Sequence, residues 1–217
     1  MTMKHVFYII IFFSVCIKSY CQKTVKVTFE NQLIVSEASL ASVPEHLRSA
    51  VLKQLTSVKM LAYMCFENNK VYYESKSQNK QIEQKGVVND GVLNNEGTIS
   101  KDLSTSVKSK HSKIIKDSYN NTYTMKNNGK LVTEKLPIVK WKITNKKKNI
   151  LGYNCTEAVG LYNNSKISIY FTKELKKVAS PEKIPFIDGV ILEYKDEKSI
   201  GKAIRIEKNQ PSIKNFL

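Results

Sequence analysis

The stretch ILGYNCTEAVGLYNNSKISIYFT, residues 150–172, decides the fold class of this chain. It contains two runs rich in Val, Ile, Tyr and Phe, the residue types that favour β-strands, on either side of Asn163 and Asn164. Because asparagine tolerates the left-handed backbone angles of a tight turn, the stretch predicts an antiparallel hairpin.

The same alternation of strand-like runs and short turns recurs along most of the chain. One segment differs, because Ser42 and Glu45 form a capping box and are followed by apolar residues at helical spacing. It predicts a helix from Ser42 to about residue 56, with Leu47, Val51, Leu55 and Val58 on one stripe. The expected fold is α+β, mainly an antiparallel curved sheet or half-barrel with one helix in the N-terminal half. Further strands are predicted at 25–29, 60–67, 70–75, 122–126, 130–134, 138–144, 189–195 and 203–208, with a turn at 145–149.

A polar excursion at about residues 75–113 interrupts this rhythm. It consists mainly of Lys, Gln, Asn, Ser and Gly. Two interpretations stay open, a lid over the sheet or an insertion without a role. We expect residues 22–217 to form a single β-rich domain that includes the excursion.

The first 21 residues have the pattern of a secretory signal peptide. A cationic start at Lys4 is followed by the apolar run 6–17, and small side chains at Ser19 and Cys21 precede the expected cleavage. The run is shorter than the roughly 20 apolar residues that span a bilayer. The segment predicts export to the periplasm or outer cell envelope; a lipidated cysteine and an uncleaved anchor are the alternatives.

The chain is strongly basic, with a formal net charge of +16. Of its 35 basic residues only Arg48 and Arg205 are arginines. Proteins that read nucleic acids favour the arginine fork, and no nucleic-acid motif accompanies the lysines, so we expect no specific nucleic-acid partner. Attraction to anionic lipid or polysaccharide surfaces, and with it peripheral membrane contact, stays open.

The sequence contains no motif that indicates catalysis. His46 and His111 have no partner at metal-ligand spacing, and neither a nucleophile elbow nor a glycine-rich phosphate loop is present. We therefore predict a non-enzymatic protein without metal or cofactor. A hydrolase whose site is not recognisable from sequence is an alternative.

Aromatic residues in the predicted strands are the candidate binding residues. Trp141, Tyr153 and Tyr170 would line a concave apolar face if they share it, and core packing is the alternative. Cys65 and Cys155 are the only thiols left after removal of residues 1–21. In an exported protein they either form a disulfide or stay as two free thiols.

The C-terminal half resembles the GLPGLI family of exported Bacteroidota proteins. The resemblance rests on Trp141-x-Ile143, ILGYNCTEA at 150–158, IYFT at 169–172 and FIDGVIL at 186–192, with Gly152 and Gly189 as motif glycines. It implies an envelope protein without an established activity. We expect Gly189 to let the chain turn into a buried strand.

The expected function is therefore that of an exported envelope protein that binds an apolar or amphipathic ligand or an envelope partner. A structural partner of an outer-membrane transporter or of a surface complex is the alternative.

Overall fold

The computed structural model describes residues 24–41, 43–57, 59–76, 112–213 and 216–217. The predicted signal segment, residues 1–21, lies outside them, as does most of the predicted polar excursion. The two ends of that excursion are described and belong to strands, because Ser75 pairs with Ser112. Of the excursion predicted at about 75–113, only residues 75–76 and 112–113 are described, and they belong to β-strands.

The described residues form a mostly antiparallel sheet of eleven strands with one α-helix, which confirms the predicted fold class. Neighbours in the sheet follow the order β6-β5-β4-β3-β2-β1-β11-β10-β9-β8-β7. A 3₁₀ turn (Glu37–Leu40) and the helix α1 (Glu45–Ser57) connect β1 to β2. The strands are β1 (Thr24–Leu33), β2 (Lys59–Glu67), β3 (Lys70–Lys76), β4 (Ser112–Asp117), β5 (Thr122–Asn127), β6 (Lys130–Lys135), β7 (Lys142–Ile150), β8 (Tyr153–Tyr162), β9 (Ser165–Thr172), β10 (Val190–Lys195) and β11 (Ser199–Gln210).

The connection between β6 and β7 requires the sheet to be curled. These are its two edge strands, and only residues 136–141 join them. A flat sheet of eleven strands would hold its edges about 48 Å apart, whereas seven Cα steps reach at most about 25 Å. The sheet therefore bends until its edges approach each other, and it acquires an inner and an outer face.

The inner face carries the hydrophobic core. Residues paired across neighbouring strands, such as Val27, Met64 and Tyr73, point to this face and are fully buried. The loop between β9 and β10, residues 173–189, is hereafter the β9–β10 loop, and it packs across this face with Ala179 and Ile184 in the core. The inside of the curl is thus filled by the chain itself.

Helix α1 forms where the sequence predicts it but covers little of the sheet. Leu47 and Leu52 are exposed, while Val51 and Leu55 are half-buried. A hydrogen bond of 2.8 Å from Gln32 Nε2 of β1 to the carbonyl of Thr56 connects the helix to the sheet. Ser42 of the predicted capping box and Val58 of the predicted stripe lie outside the described residues.

Sequence reasoning missed one strand and placed one turn wrongly. The sequence pattern did not indicate β4, because its inner positions are occupied by Ser112, Ile114 and Lys116 and so lack an apolar alternation. The predicted turn at 145–149 is instead part of β7, and the chain turns at Leu151 and Gly152, both with positive φ. The lysines of residues 146–148 are tolerated there because β7 is an edge strand with one exposed side. Lysines on an edge strand also discourage pairing with other chains.

Candidate functional site

A buried polar cluster lies between the β9–β10 loop and the inner face of the sheet. Glu182, from the loop, accepts hydrogen bonds of 3.0 Å from the hydroxyls of both Tyr73 and Tyr194. Asn31 Nδ2 donates to the hydroxyl of Tyr73 at 3.2 Å. Burial, followed by the negative charge of Glu182, raises the pKa of both tyrosines well above its usual value. The cluster binds the loop to β1, β3 and β10 together.

Lys116 forms a second anchor for the same loop. Its side chain is fully buried, and Nζ donates to the carbonyls of Ser180 at 3.0 Å and Ile184 at 2.6 Å, and also to the hydroxyl of Ser180. Burial holds the pKa of Lys116 well below its usual value, while the charge of Glu182 opposes this effect. Because Lys116 and Ser180 are closed off from solvent, they position the loop rather than meet a ligand.

The three predicted lining residues do not share a face. Tyr170 pairs with Glu157, and Tyr153 lies on the same side of β8, on the outer face. Trp141 instead packs against the position where Gly160 lacks a Cβ, and its Nε1 donates to the carbonyl of Phe186 at 3.0 Å. Trp141 therefore holds the β9–β10 loop on the inner face. Tyr153 and Tyr170 therefore share a face and meet the condition of the prediction, whereas Trp141 does not, because it precedes β7 and packs against Gly160 on the other side of β8.

The outer-face tyrosines lie beneath lysines. Lys148 Nζ is 5.2 Å from the centre of the Tyr170 ring, and Lys208 Nζ is 5.5 Å from that of Tyr153. Tyr63, on the same face, has Lys26 at 5.0 Å and Lys76 at 5.5 Å. These contacts cover the tyrosines of the outer face with ammonium groups, of which Lys148 also pairs with Glu193 and Lys26 with Glu207.

Cys65 and Cys155 are both free thiols. They lie on β2 and β8, and four strands separate β2 from β8 in the sheet. Of the two alternatives, the structure therefore has two free thiols and not a disulfide, since a disulfide needs Cα atoms within about 7 Å. Burial raises the pKa of each thiol to about 11, so neither is an activated nucleophile.

The two motif glycines have different roles. Gly152 forms the turn between β7 and β8 at φ +88°, with open space around it. Gly189 has φ +152°, and a Cβ there would lie 2.7 Å from the carbonyl oxygen of Thr172. The chain passes this close to β9 and then enters β10, whose Val190, Leu192 and Tyr194 are buried.

Three connections meet at one end of the sheet and form a cleft, hereafter the polar cleft. It is lined by Asn68 and Asn69 between β2 and β3, Ser118 between β4 and β5, and Lys176, Lys177 and Val178 of the β9–β10 loop. The lining contains two amides, a hydroxyl and two ammonium groups. Such a set binds polar or negatively charged groups.

In the described residues no group of three or more His, Cys, Asp or Glu side chains is arranged to hold a metal ion. His46 lies exposed on α1, and His111 is outside the described residues. Nor does any helix among the described residues have the length and apolar character needed to cross a membrane.

Residues 71–216 match the family described as the N-terminal domain of the N-glycanase peptide, PNGase F-II. The chain belongs to this family. Two solved structures of PNGF-II, in the C2 and P21 space groups, are similar to it with a TM-score of 0.52 and 15% identity. They cover 88% of this chain, which spans only 28% and 29% of theirs. Among the curated proteins none matches this sequence.

At 15% identity this likeness shows the fold alone. Membership of the GLPGLI family stays a prediction. The predicted strands 60–67 and 70–75 leave Asn68 and Asn69 as the turn between them, but sequence reasoning missed the polar cleft. No local signal brings that turn together with Lys176 and Lys177, which are more than 100 residues away.

Proposed function

We propose that the protein is an exported, non-enzymatic binding domain whose ligand is a carbohydrate. The observation that carries the proposal is the family match over residues 71–216, a segment that contains the β9–β10 loop and the polar cleft. The family is named for an N-glycanase, and a carbohydrate ligand fits a cleft of amides, a hydroxyl and ammonium groups.

Two features favour binding over catalysis. The chain spans 28% of PNGF-II, so it corresponds to one part of that larger protein. Lys116, Tyr73 and Tyr194, whose pKa values lie well away from their usual values, are fully buried beneath the β9–β10 loop and do not line the polar cleft. An apolar or amphipathic ligand is less favoured, because the described inner face is filled by this loop.

The test is to incubate the protein with an N-glycosylated peptide, to measure binding by calorimetry and to search for released glycan by mass spectrometry. We expect binding that saturates, without release. Glycan release would make the protein an enzyme and support the hydrolase alternative. Absence of binding to the glycopeptide and to its free glycan would overturn the proposal.

A second candidate function is that of a structural partner in an envelope or surface complex. The outer face favours it, because Tyr63 lies there between Lys26 and Lys76, and aromatic side chains are enriched at protein interfaces. Chemical cross-linking in intact cells would test it. Cross-links from Lys26 or Lys76 to one recurring protein are expected, and their loss in Tyr63→Ala would connect them to this face.

A further inference from the structure

The polar cleft has rigid walls on two sides. The amide and the hydroxyl of Ser118 both donate to the carbonyl of Asn69, at 2.9 and 3.2 Å. Beside them, Lys70 and Asp117 form an ion pair of 2.6 Å. The turn after β2 and the turn after β4 are therefore fixed to each other before any ligand arrives, which lowers the entropy lost on binding.

The third wall is held by the core. Lys176 donates its amide to the carbonyl of Lys173 at 2.9 Å, which closes a turn at the start of the wall. At its end, the amide of Ala179 donates to the carbonyl of Gly189 at 3.1 Å, and the carbonyl of Ser180 accepts a hydrogen bond from the buried ammonium group of Lys116. Lys176 and Lys177 are thus presented from a loop segment that is anchored on both sides.

Within the described part of the chain, no acidic side chain neutralises the charge of the cleft. Asp117, the nearest acidic side chain in sequence to Ser118, already accepts hydrogen bonds from Lys70 and from Tyr119 and Asn120. Among the described residues no acidic group lies within ion-pair distance of Lys176 or Lys177. Lys177 is half-buried and Lys176 is exposed.

We infer that the polar cleft binds the acidic group, a carboxylate or sulfate, of a carbohydrate. The inference rests on the proposed function and names the ligand class of its site. The two ammonium groups meet the negative charge, the amides and the hydroxyl meet sugar hydroxyls, and Val178 contacts the C–H face of a ring. Because lysine acts as a point charge without a fork, binding weakens as salt is added.

The experiment uses the full chain and four probes. These are a sialylated N-glycan, the same glycan without its sialic acids, a sulfated disaccharide and inorganic sulfate. Affinities are measured by calorimetry, and amide shifts of residues 118 and 176–178 locate the site by NMR. We expect the wild-type protein to bind the sialylated glycan about tenfold more tightly than the neutral one. The sulfated disaccharide separates recognition of charge from recognition of carboxylate shape.

The variant K176Q/K177Q tests the residues, and K166Q/K195Q is its matched control. Lys166 and Lys195 are exposed, lie on β9 and β10, and do not line the cleft. The first variant is expected to bind sialylated and neutral glycans equally, whereas the control keeps the wild-type preference. Equal thermal unfolding of the two variants excludes misfolding as the cause.

The outcomes separate the inference from the proposed function. Equal wild-type affinity for acidic and neutral glycans overturns the inference and leaves the proposed function standing. No binding of any glycan, with amide shifts caused by sulfate in the cleft, overturns the proposed function and leaves the anion site. Absence of both glycan binding and sulfate-induced shifts overturns both. A preference for the acidic glycan that K176Q/K177Q retains overturns the inference alone.

Discussion

The carboxylate of Asp117 holds the turn between β4 and β5 together. It is mostly buried, with 12% of its side chain exposed, and accepts from Lys70 Nζ at 2.6 Å and from the amides of Tyr119 and Asn120. Burial alone would raise its pKa, but the hydrogen bonds from Lys70 and Asn120 outweigh this and lower the pKa to about 2. The ionised form is therefore the one that the fold stabilises.

This shift predicts a loss of stability in acid. The folded pKa of about 2 lies below the ordinary value of 3.8, so the stabilisation is complete above about pH 4 and disappears as the pH falls toward 2. Asp117→Asn should lower the free energy of unfolding by about 1 to 2 kcal/mol at pH 7 and by less at pH 2. Urea unfolding at both pH values measures it.

Asp188→Asn is the control for this prediction. Asp188 pairs with Lys173 at 2.5 Å, but its side chain is 81% exposed. Exposed ion pairs contribute little, so the control should unfold like the wild-type protein at both pH values. A loss of stability that is the same at pH 7 and pH 2 for Asp117→Asn would contradict the assignment.

The two thiols give a second prediction at this scale. Because the pKa of Cys65 and of Cys155 is raised to about 11, each is about 0.1% thiolate at pH 8 in the folded protein. Both should react with iodoacetamide at least about 100-fold more slowly than free cysteine. In urea without reductant both should be alkylated fully. Peptide mapping that finds Cys65 linked to Cys155 would show that a disulfide forms after all.

At the scale of elements, the entry into β10 depends on the absence of a side chain at Gly189. A Cβ there would lie 2.7 Å from Thr172 O and 2.8 Å from the ring of Phe171, at a φ of +152°. Gly189→Ala should therefore destabilise the protein by about 2 to 4 kcal/mol, through the clash as well as the backbone angle.

Gly152→Ala is its natural counterpart. Its φ of +88° is unfavourable for alanine, but no heavy atom lies within 4 Å of the added Cβ. We expect a cost of only about 1 kcal/mol. Midpoints of urea unfolding measure both variants. Equal losses would mean that backbone strain alone, and not the close approach to β9, requires Gly189.

Elements were predictable from sequence where the local pattern and the environment agree. The turn at Asn163 and Asn164 was predicted correctly, because both residues adopt the positive φ for which asparagine is suited. Strand β4 was not, because Lys116 occupies an inner position at which an apolar residue is expected. Its ammonium group donates to two carbonyls and a hydroxyl of the β9–β10 loop, which lies more than 60 residues away in sequence.

At the scale of the whole molecule, the β9–β10 loop connects the two halves of the curled sheet. Tyr73 belongs to β3 and Tyr194 to β10, yet both donate to Glu182 of the loop. Trp141 bonds to the same loop from the side of β7. The residues between this loop and the sheet thus form an interior that both halves share. Neither half can lose its packing without exposing it.

The shared interior predicts one cooperative unfolding transition. Trp141 is the only tryptophan, so its fluorescence reports on the packing beside β7 and β8, whereas far-UV circular dichroism reports on the whole sheet. The urea midpoints of the two signals should coincide. Glu182→Ala should lower both midpoints together, because it leaves two buried hydroxyls without their acceptor. Separate transitions in the wild-type protein would contradict the prediction.

The sequence by itself determined the fold class, because runs such as KISIYFT alternate with a period of two and are bounded by asparagine turns. These are local properties, set by backbone sterics and by the burial of every second side chain. It also determined the place of α1. The positions of the candidate residues were decided only by tertiary structure, because the face that a residue occupies depends on register. Trp141 and Tyr153 are close in sequence and lie on opposite faces. The polar cleft depends on the curl of the sheet, which brings Ser118 beside Lys176 and Lys177.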